Sequence, residues 1–235
     1  MRTIAFCEQD PFCRTILRKH WPGTPTYADI RTLTAARLRT DAVLTPDVPT
    51  FDLIVGGFPC QDISLAGKGA GIEGPRSGLW THMERLVADC RPRWVVAENV
   101  PGLRNRGADR VCSDLETLGY TVWPLVVGAV HAGAPHRRQR AWLVANKAPP
   151  HAPGPRLEMG QPRPTQPPPG LPPERRGRWP PEPGLRRVGH GLPARVDRIK
   201  ALGNAIAPAT MAMIGRAILA ADHEHTNAAP QLHCR

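Results

Sequence analysis

The chain has 235 residues, enough for one domain with a real core or one core plus an appendage. Its 31 Lys plus Arg against 20 Asp plus Glu give a formal net charge of +11, which favours a polyanionic partner and leaves the fold open. No apolar run approaches the roughly 18–20 residues that span a bilayer, so a membrane protein is not expected. The start, Met1 to Cys7, lacks the pattern of a signal peptide, and the six cysteines include no C-x-x-C pair. A cytoplasmic, metal-free monomer with reduced thiols is therefore expected.

The elements alternate. Thr3–Cys7 reads as a short strand, and Asp10 ahead of Pro11 signals a helix over Pro11–His20. Phe51–Val55 is a second strand ending in Gly56-Gly57, and Ser77–Cys90 reads as a helix. Arg93–Ala97 is a strand, Arg110–Leu118 a helix, Tyr120–Val127 a strand and Ala141–Ala145 the last strand. Strands that are apolar along their length and separated by helices imply an α/β fold, with a doubly wound, mostly parallel sheet. Half the prolines fall between Pro149 and Pro183 among arginines, where neither a helix nor a central strand can persist. This segment is read as a solvated basic linker or one that follows phosphates. A Gly/Ala-rich helix is expected over Ala201–Ala221. The chain thus divides into a core at 1–147, a Pro/Arg-rich segment at 148–184 and a C-terminal segment at 185–235.

In such sheets ligands gather at the carboxyl ends of the strands. The second strand runs into Gly56-Gly57-Phe58-Pro59-Cys60-Gln61, placing a thiol on a stiffened loop at that edge. The next strand runs into Glu98-Asn99-Val100, adding a carboxylate, and the last is preceded by His136-Arg137-Arg138-Gln139-Arg140. A nucleophilic thiol, an acid and an arginine clamp form a plausible catalytic set, although a lone cysteine is more often a small hydrophobe.

These strings resemble the cytosine-5 DNA methyltransferases. Gly57-Phe58-Pro59-Cys60-Gln61 with Ser64 is similar to the family's nucleophile loop, with Ile63 where an aromatic is usual. Glu98-Asn99-Val100 resembles its ENV motif, Arg138-x-Arg140 its arginine motif, and Leu202-Gly203-Asn204-Ala205-Ile206 its GNxV motif. The four strings occur in the family's order. The resemblance implies methyl transfer from S-adenosylmethionine to carbon 5 of a flipped cytosine in double-stranded DNA, as in restriction–modification systems. It makes Cys60 the nucleophile toward carbon 6, Glu98 the partner of ring nitrogen 3 and the exocyclic amine, and Arg140 the holder of the carbonyl oxygen. Arg138 is implied to anchor the site. Gln61, Ser64, Lys68 and Arg76 are implied to face DNA.

For the cofactor, the resemblance implies Glu8 at the ribose, Asp29 at the adenine amine, and Pro59, Leu79, Asn204 and Ile206 around the pocket. The family's opening strand and glycine-rich turn, normally ahead of the strand that carries Glu8, have no counterpart here. An N-terminally truncated sheet and weak cofactor binding are therefore expected. The short interval before the GNxV-like motif implies weak or short-site target discrimination. Two rival readings stand beside this one: an inactive remnant that binds DNA without the cofactor, and a thiol hydrolase pairing Cys60 with a histidine.

Overall fold

The computed structural model describes residues 2–41, 51–58, 78–134, 136–147 and 194–228. The chain divides into two compact units, one of Met1–Leu125 with Ala141–Lys147, the other of Val126–Arg140 with Ala148–Arg235. The expected α/β class is found. In the first unit β1 (Phe6–Cys7) leads into α1 (Pro11–His20), whose bounds are those read from the sequence. The Asp10 carboxylate accepts from the amides of Phe12 at 2.9 Å and Cys13 at 3.3 Å, Pro11 opens the first turn, and Arg18, Lys19 and His20 face the negative end of the helix dipole. Then come β2 (Thr26–Tyr27) and α2 (Ala35–Asp41), neither of them read from the sequence.

The remaining elements of this unit carry its core. They are β3 (Leu53–Gly57), α3 (Leu79–Cys90), β4 (Trp94–Asn99), a 3-10 turn at Pro101–Asn105 and α4 (Ala108–Thr117). The strands β5 (Thr121–Gly128) and β6 (Gln139–Asn146) complete the sheet, whose order is β3-β4-β6-β5. Every residue of β4 is buried, Trp94–Ala97 as an apolar run and Glu98 and Asn99 as polar side chains at its carboxyl end. Helices α3 and α4 pack onto it through Trp80, Met83, Val87, Val111 and Leu115. At about 25 cal/mol per Å² of apolar surface removed from water, such burial is the main force holding the sheet and helices together.

One strand is reversed within the expected mostly parallel arrangement. β3 and β4 are parallel, but β6 runs antiparallel to β4, from Trp94 opposite Asn146 to Asn99 opposite Ala141, so the sheet is mixed. A strand buried on both faces has the same composition in either direction, so its sequence carries no sign of this. β1 and β2 form a separate parallel pair. Among the described residues no strand joins that pair to β3. Both sheets nevertheless share the cluster around Leu33, Phe51, Leu86 and Cys90, against which Ile4, Tyr27 and Ile54 pack.

In the second unit the end of β5 runs into a 3-10 turn at Ala129–Ala132, against which α6 packs. The single helix expected over Ala201–Ala221 is two: α5 (Arg195–Asn204) and α6 (Pro208–Ala228). Pro208 explains the break, because it disfavours helical geometry at Ala207 and opens a new helix at its own position. Thr210, Met213, Ile214, Ala217, Ile218 and Ala221 are buried at helical spacing along one face of α6. By length and composition alone Val196–His223 is apolar enough to cross a membrane, contrary to the expectation that no segment approaches this. The stretch is interrupted at 205–207, and one face of α6 is buried in the fold while Val196, Leu202 and Leu219 are exposed.

Candidate functional site

Three arrangements gather the residues singled out in the sequence. The first lies at the carboxyl ends of β3 and β4. Their ladder closes with Gly57 opposite Glu98, the last pair of the register. The Glu98 side chain lies over Gly57: a Cβ there would stand 3.0 Å from Glu98 Oε2. A side chain at 57 would press on this carboxylate and make it give by a few tenths of an ångström. Glu98 is 7% exposed, a buried acid at the edge where a ligand is expected.

One residue further on, Asn99 is buried. Its Nδ2 donates to the Phe58 carbonyl at 3.0 Å, and its Oδ1 accepts from the Val100 amide at 2.8 Å. Phe58 is itself buried, with its ring 5.6 Å from that of Trp80. Residue 58 is the last described before the segment that carries Cys60. Pro59, Cys60, Gln61, Ser64, Lys68 and Arg76 all lie outside the described residues. Leu79 is half-buried in the first turn of α3.

The second arrangement is at the carboxyl ends of β1 and β2. Cys7 pairs with Tyr27, and the Glu8 amide donates to the Tyr27 carbonyl at 2.9 Å, so Glu8 and Asp29 follow two adjacent parallel strands. Their proximity shows in Cys7. Its outer surface is exposed, yet desolvation and then the charges of Asp29 and Glu8 push its thiol up to about 11. Glu8 Oε1 accepts from the Asp10 amide at 2.7 Å. Asp29 is gripped by Arg31: Nε lies 3.0 Å from each carboxylate oxygen, Nη2 lies 2.7 Å from Oδ2, and the Arg31 amide donates to Oδ1 at 2.9 Å. These hydrogen bonds lower the Asp29 carboxyl to about 2. The loop after Asp29 is pinned by Arg85, which donates to the Ile30 carbonyl at 3.0 Å and the Leu33 carbonyl at 2.7 Å. Two carboxylates at strand ends accept from ligand hydroxyls and amines, so this acceptor pair fits a nucleoside.

The third arrangement belongs to the second unit. Arg138 has a left-handed backbone, φ 33°, sparsely populated by residues other than glycine. Its Nη2 donates to the carbonyls of Leu202 at 3.1 Å, Gly203 at 3.1 Å and Ala205 at 2.6 Å. It thus clamps the carboxyl end of α5, where carbonyls lack helical partners and a cation is favoured by the dipole. Arg140 Nη1 donates to the Gln139 carbonyl at 2.9 Å, and its Nη2 stands 3.5 Å from the Gly203 carbonyl. The two arginines therefore meet the GNxV-like string, with Asn204 closing α5 and Ile206 half-buried in the break that follows. Sequence reasoning attached no role to Asn99 or Arg85. The composition of the Glu98-Asn99-Val100 string was the available signal for the first, and nothing in the sequence pointed to the second.

Comparison with known proteins identifies the family. The profile of C-5 cytosine-specific DNA methylase matches residues 1–167. The chain is 36% identical over 152 residues to the Type II methyltransferase M2.BsuMI of Bacillus subtilis, covering 61% of this chain and 36% of that protein. It is 33% identical over 158 residues to the Type II methyltransferase M.AquIA of Picosynechococcus, covering 62% of this chain and 63% of that one. The chain therefore spans between about a third and two thirds of the length of these relatives. Among solved structures, the Entamoeba histolytica methyltransferase EhMeth superposes with a TM-score of 0.52 at 16% identity, over 67% of this chain and 48% of that chain, a likeness of fold alone. Since the profile runs through the β3 and β4 ends and both strand-end carboxylates, the chain belongs to the C-5 cytosine-specific DNA methylase family.

Proposed function

We propose that this chain carries the reacting centre of a DNA cytosine-5 methyltransferase using S-adenosylmethionine. The observation that supports this most is the buried Glu98 carboxylate set against Gly57 at the paired ends of β3 and β4, three residues before Cys60 in the chain. Cytosine is a poor carbon nucleophile at position 5. Addition of the Cys60 thiolate to carbon 6 turns the ring into an enamine able to attack an electrophilic methyl. Glu98, hydrogen-bonded to ring nitrogen 3 and the exocyclic amine, stabilises charge as that bond forms; its burial strengthens the interaction. Once carbon 5 carries the methyl, loss of its proton re-forms the double bond and expels the thiolate. The base leaves the helix for this, since carbon 6 is out of reach inside a duplex.

S-adenosylmethionine, when bound, supplies the sulfonium methyl. Glu8 would hold its ribose hydroxyls and Asp29 its adenine amine, with Pro59, Leu79, Asn204 and Ile206 around it. Arg140 would bind the cytosine carbonyl oxygen, and Gln61, Ser64, Lys68 and Arg76 would face the DNA. The net charge of +11 favours the polyanion. The related Type II methyltransferases point to a role in restriction–modification. The test is covalent trapping. The full-length protein with methyl donor and DNA containing 5-fluorocytosine should give a denaturant-stable complex that Cys60→Ser abolishes; a complex that survives the substitution refutes the thiol mechanism.

A further inference from the structure

We propose that Asn99 is a positioning residue for this reaction: it holds the end of β3 in register with Glu98, and so sets where the chain departs toward Cys60. The inference rests on the function proposed above. The backbone ladder between β3 and β4 stops at Gly57 opposite Glu98, so the next carbonyl, that of Phe58, has passed beyond strand pairing. Asn99 extends the ladder by one step with its side chain, donating to that carbonyl at 3.0 Å while accepting from the Val100 amide at 2.8 Å. One planar group thus fastens the last described residue before the nucleophile loop to the turn after the residue bearing the carboxylate. The geometry demands both a donor and an acceptor on a short stem, which among the side chains asparagine supplies. Alanine would leave a buried carbonyl and a partly buried amide without their partner, and ionised aspartate would turn an acceptor toward an acceptor.

Small displacements between reacting groups are costly: a 1 Å misplacement lowers rates by about 10²-fold. Asn99 touches neither base nor methyl in this scheme, so its loss should appear in the chemical step and leave DNA binding intact.

The experiment measures the single-turnover rate of adduct formation on 5-fluorocytosine DNA, and the Kd for that DNA, with the full-length protein and its Asn99→Ala and Asn99→Asp variants. Asn99→Ala is expected to lose about 100-fold in adduct rate with Kd changed less than about twofold. Asn99→Asp is expected to share the defect at pH 8 and to recover relative to the parent as pH falls toward 6. A protonated carboxyl again offers one donor and one acceptor, and burial beside a carbonyl favours the protonated form. Should Asn99→Ala fail to fold, the same Asn99→Asp sample read at both pH values decides the matter. Unchanged adduct rates, a loss explained by DNA affinity, or an Asn99→Asp defect indifferent to pH would each overturn the inference. A parent protein that forms no adduct removes the proposed function and this inference with it; a parent that does, beside unaffected variants, removes the inference alone.

Discussion

Trp80 donates from Nε1 to the Asp114 carboxylate at 2.9 Å, tying α3 to α4. The indole is 1% exposed, and the same carboxylate is held by Arg110 Nε at 2.7 Å. Trp80→Phe keeps most of the apolar contact but leaves a mostly buried carboxylate short of a donor. Loss of a hydrogen bond to a charged group, with the small cavity left, should cost about 2–3 kcal/mol in urea denaturation. A change below about 0.5 kcal/mol would show the tie to be idle.

Adjacent glycines in β3 should behave oppositely. A Cβ at Gly56 would stand 2.5 Å from the sulfur of buried Met83, whereas one at Gly57 meets Glu98 Oε2. Gly56→Ala forces the thioether to shift and should lower stability by about 1–2 kcal/mol, with activity following the folded fraction. Gly57→Ala should stay within about 1 kcal/mol of the parent yet lose at least about tenfold in adduct rate, because what moves is the carboxylate. Thermal melts read beside trapping assays separate the two; the reverse pattern would place Glu98 outside the chemistry.

Arg138 should matter first to local order. With its Nη2 removed, the carbonyls of Leu202, Gly203 and Ala205 lose a shared donor. Hydrogen exchange across 201–206 should quicken by about tenfold in Arg138→Ala with little change in the global melt. Arg138→Lys should recover part of the protection, a point charge replacing a planar fork. Equal exchange in parent and variant would show that Arg138 does not order this segment.

Asp29 titrates far from the ordinary carboxyl range. Arg31 holds it near 2, so its folded value lies below its unfolded value near 4. The stability it contributes is therefore fully present above about pH 4 and is lost as pH falls toward 2. The pair is a surface one, with the Arg31 side chain 57% exposed, so salt should weaken it. Carboxyl-carbon NMR should give a midpoint near 2 in the parent and one near the ordinary value in Arg31→Gln. An unchanged midpoint would mean that Arg31 is not its cause.

Thr210 makes the opposite kind of prediction. Its hydroxyl is buried near the start of α6 without a hydrogen-bond partner among the described residues. Valine has the same shape and no unsatisfied group, so Thr210→Val should raise stability by about 1 kcal/mol in denaturant titration. A loss of that size would reveal a partner for the hydroxyl.

Legibility in the sequence followed the strength of each local signal. α1 was readable to the residue because Asp10, Pro11 and the basic last turn each act within one turn of chain. β4 was readable from its apolar stretch Trp94–Ala97, as expected of a strand buried on both faces, although its end carries the buried Glu98 and Asn99. β2 has two residues and α2 only about two turns with three charges, too short for periodicity to register. The α5–α6 break was hidden by the apolar run on either side of it, although Pro208 marked the place. At the site, the ends of β3 and β4 brought Gly57 and Glu98 together as strand pairing dictates. The clamp of Arg138 on α5 spans 64 to 67 residues of chain, and no local pattern encodes a contact of that range. The segment that carries Cys60 lies outside the described residues.

The outer margin of β3 has a practical consequence. Leu-Ile-Val-Gly-Gly offers neither lysine nor proline to repel a newcomer, and among the described residues it has a strand on one side only. A bare margin of this kind templates intermolecular pairing and, with it, precipitation at high concentration. An extended apolar segment laid along Leu53–Gly57 would satisfy the open donors and acceptors of that edge. Co-expression with a covering peptide should improve recovery more than any substitution in the interior.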